Sequence, residues 1–417
     1  MKKVEVDIPN DVNVDTDDIQ PNTRLGEANL SDADLQGVDL TDAYLVEADL
    51  SGANLEDANL SDSNLQKADL TDACLDDADL SDSNLQKADL TDASLENANI
   101  SDSYIYFTNL SSSYLENANF ADANLWGSNF DDAYLMSADL TGTKLFRANL
   151  TNADLRNADL SNANLEEVDL TDADLRGADL TDADLERATL VGTELLDADL
   201  TMIRPYAARI SDVQINDGTN IDKNQSEHAS WWQRGVLSPA PRCGYDPAVR
   251  DVREGENEGR KKLLNRAADT YKEFEELAHD NSRPSLESSM FVRRQEMQQA
   301  RYRERGEYLQ YVFAVFSGSL FKYGESLRRV LFSGLLIIVF YASVYTEFDL
   351  ILGGDGFVKN PFDALYFSTL TFTTLGLGDY QPDPASELAR SLVTTQAALG
   401  AVLIAIFVFV LGRRAAR

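Results

Sequence analysis

Histidine and cysteine are almost absent from this chain, and its 36 basic residues face 71 acidic ones. With only His228 and His279, neither beside a nucleophile or a ligand cluster, the chain lacks the side chain that most often moves protons at neutral pH. Both histidines read as surface or linker residues, and neither an enzyme nor a cofactor is expected. Cys74 and Cys243 lie in different segments, which excludes a disulfide framework or a zinc spacing and suits a reducing compartment. A formal net charge of -35 excludes nucleic acid as a direct partner, because a phosphate backbone needs clustered Lys and Arg. That acidity has two readings. One is a solvated surface suited to a high-salt, prokaryotic cytoplasm, where salt screens self-repulsion; the other is an acidic rod that mimics DNA. No apolar run follows Met1-Lys2-Lys3-Val4, so no secretory signal is expected. Nor is there an Arg-every-third-residue sensor helix or a nucleotide-binding G-x-G-x-x-G.

What the chain has in abundance is one spacing. From residue 25 to 200 every fifth position is Leu, Ile or Phe, and two residues before each stands Ala, Ser, Thr or Val. A small-x-large triplet puts two apolar side chains on one face of a short extended segment, and a polar pair such as Ser61-Asp62 then turns the chain. A helix would scatter the same leucines around its circumference. The stretch 61–70 recurs unchanged at 81–90, so four five-residue segments make one coil. About nine coils at the strand spacing of about 4.8 Å give a rod of about 43 Å. The pattern resembles the pentapeptide-repeat family, and the resemblance implies a right-handed quadrilateral β-solenoid with small and large residues pointing inward. Its ends need caps; residues 4–19 and 203–221 are the candidates.

The twenty-residue period also lines up aromatic residues. Tyr106, Trp126 and Phe146 are spaced as one outward column, and Tyr114 and Tyr134 as a second. Two readings stand side by side: a contact face, for another solenoid or an unidentified gating partner, and a ladder that only stiffens the rod.

Residues 220–259 carry Pro239, Pro241 and Pro247 and read as linker. Leu264, Ala267, Ala268, Tyr271, Phe274 and Ala278 then recur at helical steps, and a second amphipathic stretch follows Pro284, so an α-hairpin is expected over 259–306. Its second arm is basic, with Arg293 and Arg294 among five arginines; together with Arg328, Arg329, Arg413 and Arg414 these suit an anionic membrane surface. Residues 307–329 read as an interfacial helix.

The apolar runs 330–345 and 391–411 are near the length of a membrane span. The arginines flanking them place both termini in the cytoplasm of a plasma-membrane protein. Between them, Asn360-Pro361 starts a short pore helix, followed by Thr373-Thr374-Leu375-Gly376-Leu377-Gly378-Asp379. Span, pore helix, T-x-G-x-G-D and span resemble the two-span potassium channels. The resemblance implies a homotetramer in the lipid bilayer with K+ as the permeant ion, held by the carbonyls of Thr374, Leu375, Gly376 and Leu377 and by the Thr374 hydroxyl, in a filter ending at Gly378 and Asp379. Thr373, Tyr366, Phe367 and Leu370 would support that filter. Leu377 stands where the family has tyrosine, which removes a hydrogen bond toward Tyr366 and Phe367, and Leu370 stands where some relatives carry a buried acid. Gly400, midway along the second span, has the place of a gate hinge, with close packing as the other reading.

The expected organisation is therefore an N-terminal cap (1–24), solenoid (25–200), C-terminal cap and linker (201–258), α-hairpin (259–306), interfacial helix (307–329), pore domain (330–411, with pore helix 361–373 and filter 374–379) and tail (412–417). Two functions compete: a cation channel governed by its solenoid, and a membrane-tethered scaffold with a secondary pore.

Overall fold

The computed structural model describes residues 9, 10, 18–221, 257–321, 327–354, 356–374 and 379–415. The chain divides into two compact units, Met1–Arg283 and Pro284–Arg417.

The first unit is a solenoid. Parallel bridges join each outward residue to the one twenty positions on, in four ladders that start at Arg24, Asn29, Asp34 and Asp39. One ladder includes the strand pair β1 (Thr189–Val191) and β2 (Arg209–Ser211). The large residue of every triplet from Leu25 to Leu200 is buried, so the core is a stack of leucines with its small partners between. The chain turns by bonding back three residues, as in Ala28 N–H to the Leu25 carbonyl at 3.1 Å. The third residue of such turns is left-handed, as at Asp62 (φ 58°) and Asn97 (φ 58°), a conformation that Asn, Asp and Gly tolerate. Outward Asp and Asn side chains complete the turn. Asp39 Oδ1 accepts from the Thr41 N–H at 3.2 Å and its hydroxyl at 2.7 Å, an Asx arrangement that satisfies an otherwise solvated donor.

The coil continues past the expected end at 200. Asp184 bridges Arg204, Glu194 bridges Gln214, and Asp199 bridges Asn220, the last step being one residue longer than the others. Asn216 organises that insertion, its Oδ1 accepting from the N–H groups of Gly218 at 2.9 Å, Thr219 at 3.0 Å and Asp197 at 3.0 Å. Residues 203–221 are thus a further coil rather than the cap. Most of the proposed N-terminal cap, and the linker at 222–256 with His228 and Cys243, lie outside the described residues.

The cap is α1 (Asn257–Asp280). Leu264, Ala267, Ala268, Tyr271, Phe274, Leu277 and Ala278 are all buried, and Phe274 and Leu277 line one small apolar cavity with Leu185, Leu195, Leu200, Ile203 and Val213. Asn281 covers the open ladder edge as a strand would: it accepts from the Ile215 N–H at 3.0 Å and donates to the Val213 carbonyl at 2.9 Å. Arg266 pairs with Glu186 and lies 4.8 Å above the Tyr206 ring, and Arg283 reaches Asp217 at 2.7 Å. The expected α-hairpin is therefore split. Its first arm belongs to the solenoid because the last coil exposes apolar core that needs cover, and the unit boundary falls at Arg283.

Within α1, burial and the neighbouring Asp269 and Glu276 push the Glu273 carboxyl up to about 7 from its ordinary 4.5. The folded state therefore holds a proton that the unfolded chain releases, so this group's contribution to stability is fully present below pH 4.5 and is lost as pH rises through 7. Glu273→Gln is expected to raise the melting temperature of this unit above pH 7, by about 1 kcal/mol of stability once solvent screening is discounted, and to change nothing below pH 4. Melts followed by circular dichroism across that range check it.

The second unit is helical: α2 (Pro284–Arg305), α3 (Tyr308–Phe321), α4 (Leu327–Glu347), α5 (Pro361–Phe372) and α6 (Glu387–Ala415). Helix α2 packs on α3, and α4 packs on both α5 and α6. Two of these helices are long and apolar enough to cross a membrane, over Val330–Glu347 and Glu387–Gly412. Many of their apolar side chains face outward, among them Leu331, Phe340, Val402 and Phe409, so the packed core covers only part of their surface. A small antiparallel sheet of β3 (Ile351–Gly353), β4 (Gly356–Phe357) and β5 (Gln381–Pro382) has β3 at its centre.

Candidate functional site: the loop between α5 and α6

Helix α5 starts where its sequence dictates. Asn360 is the N-cap, its side chain accepting from the Phe362 N–H at 3.1 Å, Pro361 occupies the first turn, and Asp363 adds a negative charge there. The helix runs 12 residues, about 18 Å, a little over half of a hydrocarbon core of about 30 Å. Its far end is Thr373, whose hydroxyl donates to the Thr369 carbonyl at 2.8 Å.

Thr374 follows with φ 56°, the one left-handed β-branched residue among those described. That conformation costs about 1–3 kcal/mol and persists only where the surroundings impose it. Its hydroxyl donates to the Thr373 carbonyl at 2.7 Å, which uses the only proton and leaves lone pairs for a cation. Leu375, Gly376, Leu377 and Gly378 lie outside the described residues. Asp379 is exposed just beyond them.

The loop is fixed at both ends. On the far side, β5 pairs with β3 through Ile351–Pro382 and Leu352–Gln381, and the Asp383 N–H donates to the Leu350 carbonyl at 3.0 Å. Between Asp379 and β5, the Tyr380 ring meets Tyr366 edge to face at 6.1 Å. It fits because residue 353 is glycine: a Cβ there would lie 3.0 Å from Tyr380 Cε1. Burial, with Asp363 beside it, holds the Tyr380 hydroxyl above its ordinary range. Tyr380 was not among the expected supports, yet it gives Tyr366 an aromatic neighbour where the loop leads into β5.

Of the expected supports, Phe367 is fully buried and packs edge to face on Tyr345 at 5.4 Å. Leu370 is half-buried, and its carbonyl accepts from the Thr373 hydroxyl at 3.2 Å. Gly400 is where α6 touches the end of α5: a Cβ there would stand 2.7 Å from the Phe372 carbonyl carbon. The helix continues unbroken through it, so the glycine is required by close packing whether or not α6 also bends.

Sequence reasoning missed a buried polar network beside this contact. Gln396 is fully buried and joins Tyr345 and Ser368, while the Tyr341 hydroxyl meets Thr395 at 3.2 Å. A lone amide within an apolar run was its only signal.

The other expected sites are elsewhere. Arg293 is buried and paired with Glu296 at 2.6 Å, so it does not join a basic strip facing outward. Arg294 lies over the Phe291 ring at 5.6 Å, and Arg328 is exposed. The side chains of Arg329, Arg413 and Arg414 lie outside the described residues. On the solenoid, Tyr114 and Tyr134 stack at 5.1 Å with an interplanar angle of 5°. The first column differs from expectation. Trp126 packs on Phe107 at 5.4 Å as well as on Phe146 at 6.2 Å, whereas Tyr106 meets Tyr104 at 6.4 Å. Phe107 occupies the left-handed turn position, and Gly127 leaves space for its ring.

A stacked-coil solenoid followed by two membrane-length helices, with a capped half-length helix ending in a strained threonine between them, defines a repeat protein with a channel-type membrane module. Comparison with known families bears on both parts. A model of pentapeptide repeats matches in eight copies between residues 23 and 201, and one described as an ion channel matches residues 333–417. The chain belongs to the pentapeptide-repeat family and carries an ion channel domain at its C-terminal end; both families are of non-enzymatic kinds. Among solved structures, it is 30% identical to HetL, a pentapeptide repeat protein involved in heterocyst differentiation regulation in the cyanobacterium Nostoc sp. strain PCC 7120, over 48% of this chain and 92% of that one, with a TM-score of 0.25. It is 31% identical to a pentapeptide repeat protein from the Arabidopsis thaliana thylakoid lumen, over 27% of this chain and 68% of that one, with a TM-score of 0.19. No curated protein matches.

Proposed function

We propose that this chain is one subunit of a tetrameric, potassium-selective channel, governed by a cytoplasmic right-handed, four-sided solenoid. The observation that carries the reading is Thr374: a strained left-handed residue at the end of a capped half-length helix, between two membrane-length helices. Non-helical backbone at membrane depth is tolerated only where it is buried or lines water, and a carbonyl-lined loop there replaces the water around a dehydrated cation. Potassium is read as held by the carbonyls of Thr374, Leu375, Gly376 and Leu377. Each subunit supplies one wall, hence four subunits, in the plasma membrane with both termini cytoplasmic. The domain boundaries that fit this reading are a solenoid to residue 221, α1 as its cap and α2–α3 leading to the spans.

Planar-bilayer recording of the purified chain with potassium opposed to sodium tests it. The expected result is a cation current reversing far from zero, toward the potassium equilibrium potential. A reversal at zero removes the selectivity claim, and the absence of cation current removes the channel. The exposed ring group of Tyr104, Phe107 and Trp126 favours a second reading, a membrane-tethered scaffold; channel behaviour unaltered by deletion of residues 25–221 would favour it.

A further inference from the structure

Helices α5 and α6 meet through a registered pair of contacts. Gln396 and Gly400 are one helical turn apart on α6, and their partners Ser368 and Phe372 are one turn apart on α5. The Gln396 Nε2 donates to the Ser368 hydroxyl at 2.6 Å and carbonyl at 3.1 Å, and its Oε1 accepts from the Tyr345 hydroxyl at 2.8 Å. Ser368 in turn donates to the Ile338 carbonyl at 2.7 Å. One amide therefore ties both spanning helices to α5. One turn on, at Gly400, backbone meets backbone against Phe372, two residues before the strained Thr374.

A buried amide is costly unless its hydrogens and oxygen are all engaged, as they are here. An apolar residue of the same volume would pack two apolar helices without that requirement, so stability alone does not call for glutamine. We infer that Gln396 is a positioning residue for ion selectivity. Its amide sets the depth and rotation of α5 against α6, and with them the place of the carbonyls that follow Phe372. A displacement of α6 is carried to the loop through the same contacts. This rests on the channel reading above.

The test uses the full-length protein in planar bilayers with potassium opposed to sodium, comparing wild type, Gln396→Met, Ser368→Ala and the double variant. Gln396→Met keeps the volume and removes the hydrogen bonds; it is expected to lower the potassium-to-sodium permeability ratio about tenfold, the effect of one unmet buried partner. Ser368→Ala is expected to lower it less, and the double variant little further than Gln396→Met, because both act on one network. A selective wild type with an unchanged ratio in Gln396→Met overturns the inference and leaves the channel reading standing. A wild type that passes no cation overturns both. Should Gln396→Met fail to assemble, Tyr345→Phe removes a single hydroxyl from the network, and an unchanged ratio there overturns the inference equally.

Discussion

Gly400→Ala is expected to abolish selective current and to destabilise the membrane unit by about 3 kcal/mol, the upper range for overpacking a well-filled contact. A Cβ at this position meets the Phe372 backbone, with its carbonyl carbon at 2.7 Å and Cα at 3.0 Å. Backbone does not yield as the tip of a side chain does, so either α6 or the end of α5 must move. Gly412→Ala is the control, because nothing lies within 4 Å of a Cβ there; the same added methyl should be nearly neutral. Thermal melts of the solubilised full-length protein and bilayer recordings distinguish the two roles considered for Gly400. If it served only as a hinge, alanine would preserve the fold and shift open probability, whereas a close-packing glycine loses the fold's membrane core first.

The contrast between Gly400 and the solenoid explains what the amino-acid order makes legible. The leucine at every fifth position declares its own burial, because each coil packs only on the next and the same rule repeats. The start of α5 is equally open to reading, since Asn360 and Pro361 act on their immediate neighbours. Long-range partnerships are not written locally. The apolar stripe of α1 announces that something covers it but not that the cover is the last coil rather than α2. Phe107 appears in sequence as a turn residue, and only the missing side chain at Gly127, twenty positions on, reveals where its ring goes. Gln396 carried a weak signal, an amide inside an apolar run; its partners on two other helices had none. Arg293 was grouped with other arginines by proximity in the chain, whereas helix geometry buries it and leaves Arg328 exposed.

The second large effect concerns the end of the solenoid. Phe274→Ala is expected to destabilise the first unit by about 3–5 kcal/mol, as is usual for removing a fully buried phenylalanine. Phe274 is 2% exposed and lies against the leucines of the final coils. In a one-dimensional stack the terminal coil has only one neighbour, so its loss frays the coil before it, and a defect at the cap spreads further than one at a side. Asn281→Ala is expected to cost about 1–2 kcal/mol through the two ladder groups it leaves unmet. Circular dichroism of the full-length protein would show the solenoid transition falling while the helical transition of the second unit stays. If the two transitions fall together, or neither moves, α1 is not the solenoid's cap. The same variants test whether the solenoid governs the pore, as proposed above. A loosened cap with unaltered channel behaviour argues against control through α1, whereas altered opening at temperatures where the solenoid is still folded supports it, α1 being the last helix before the second unit begins.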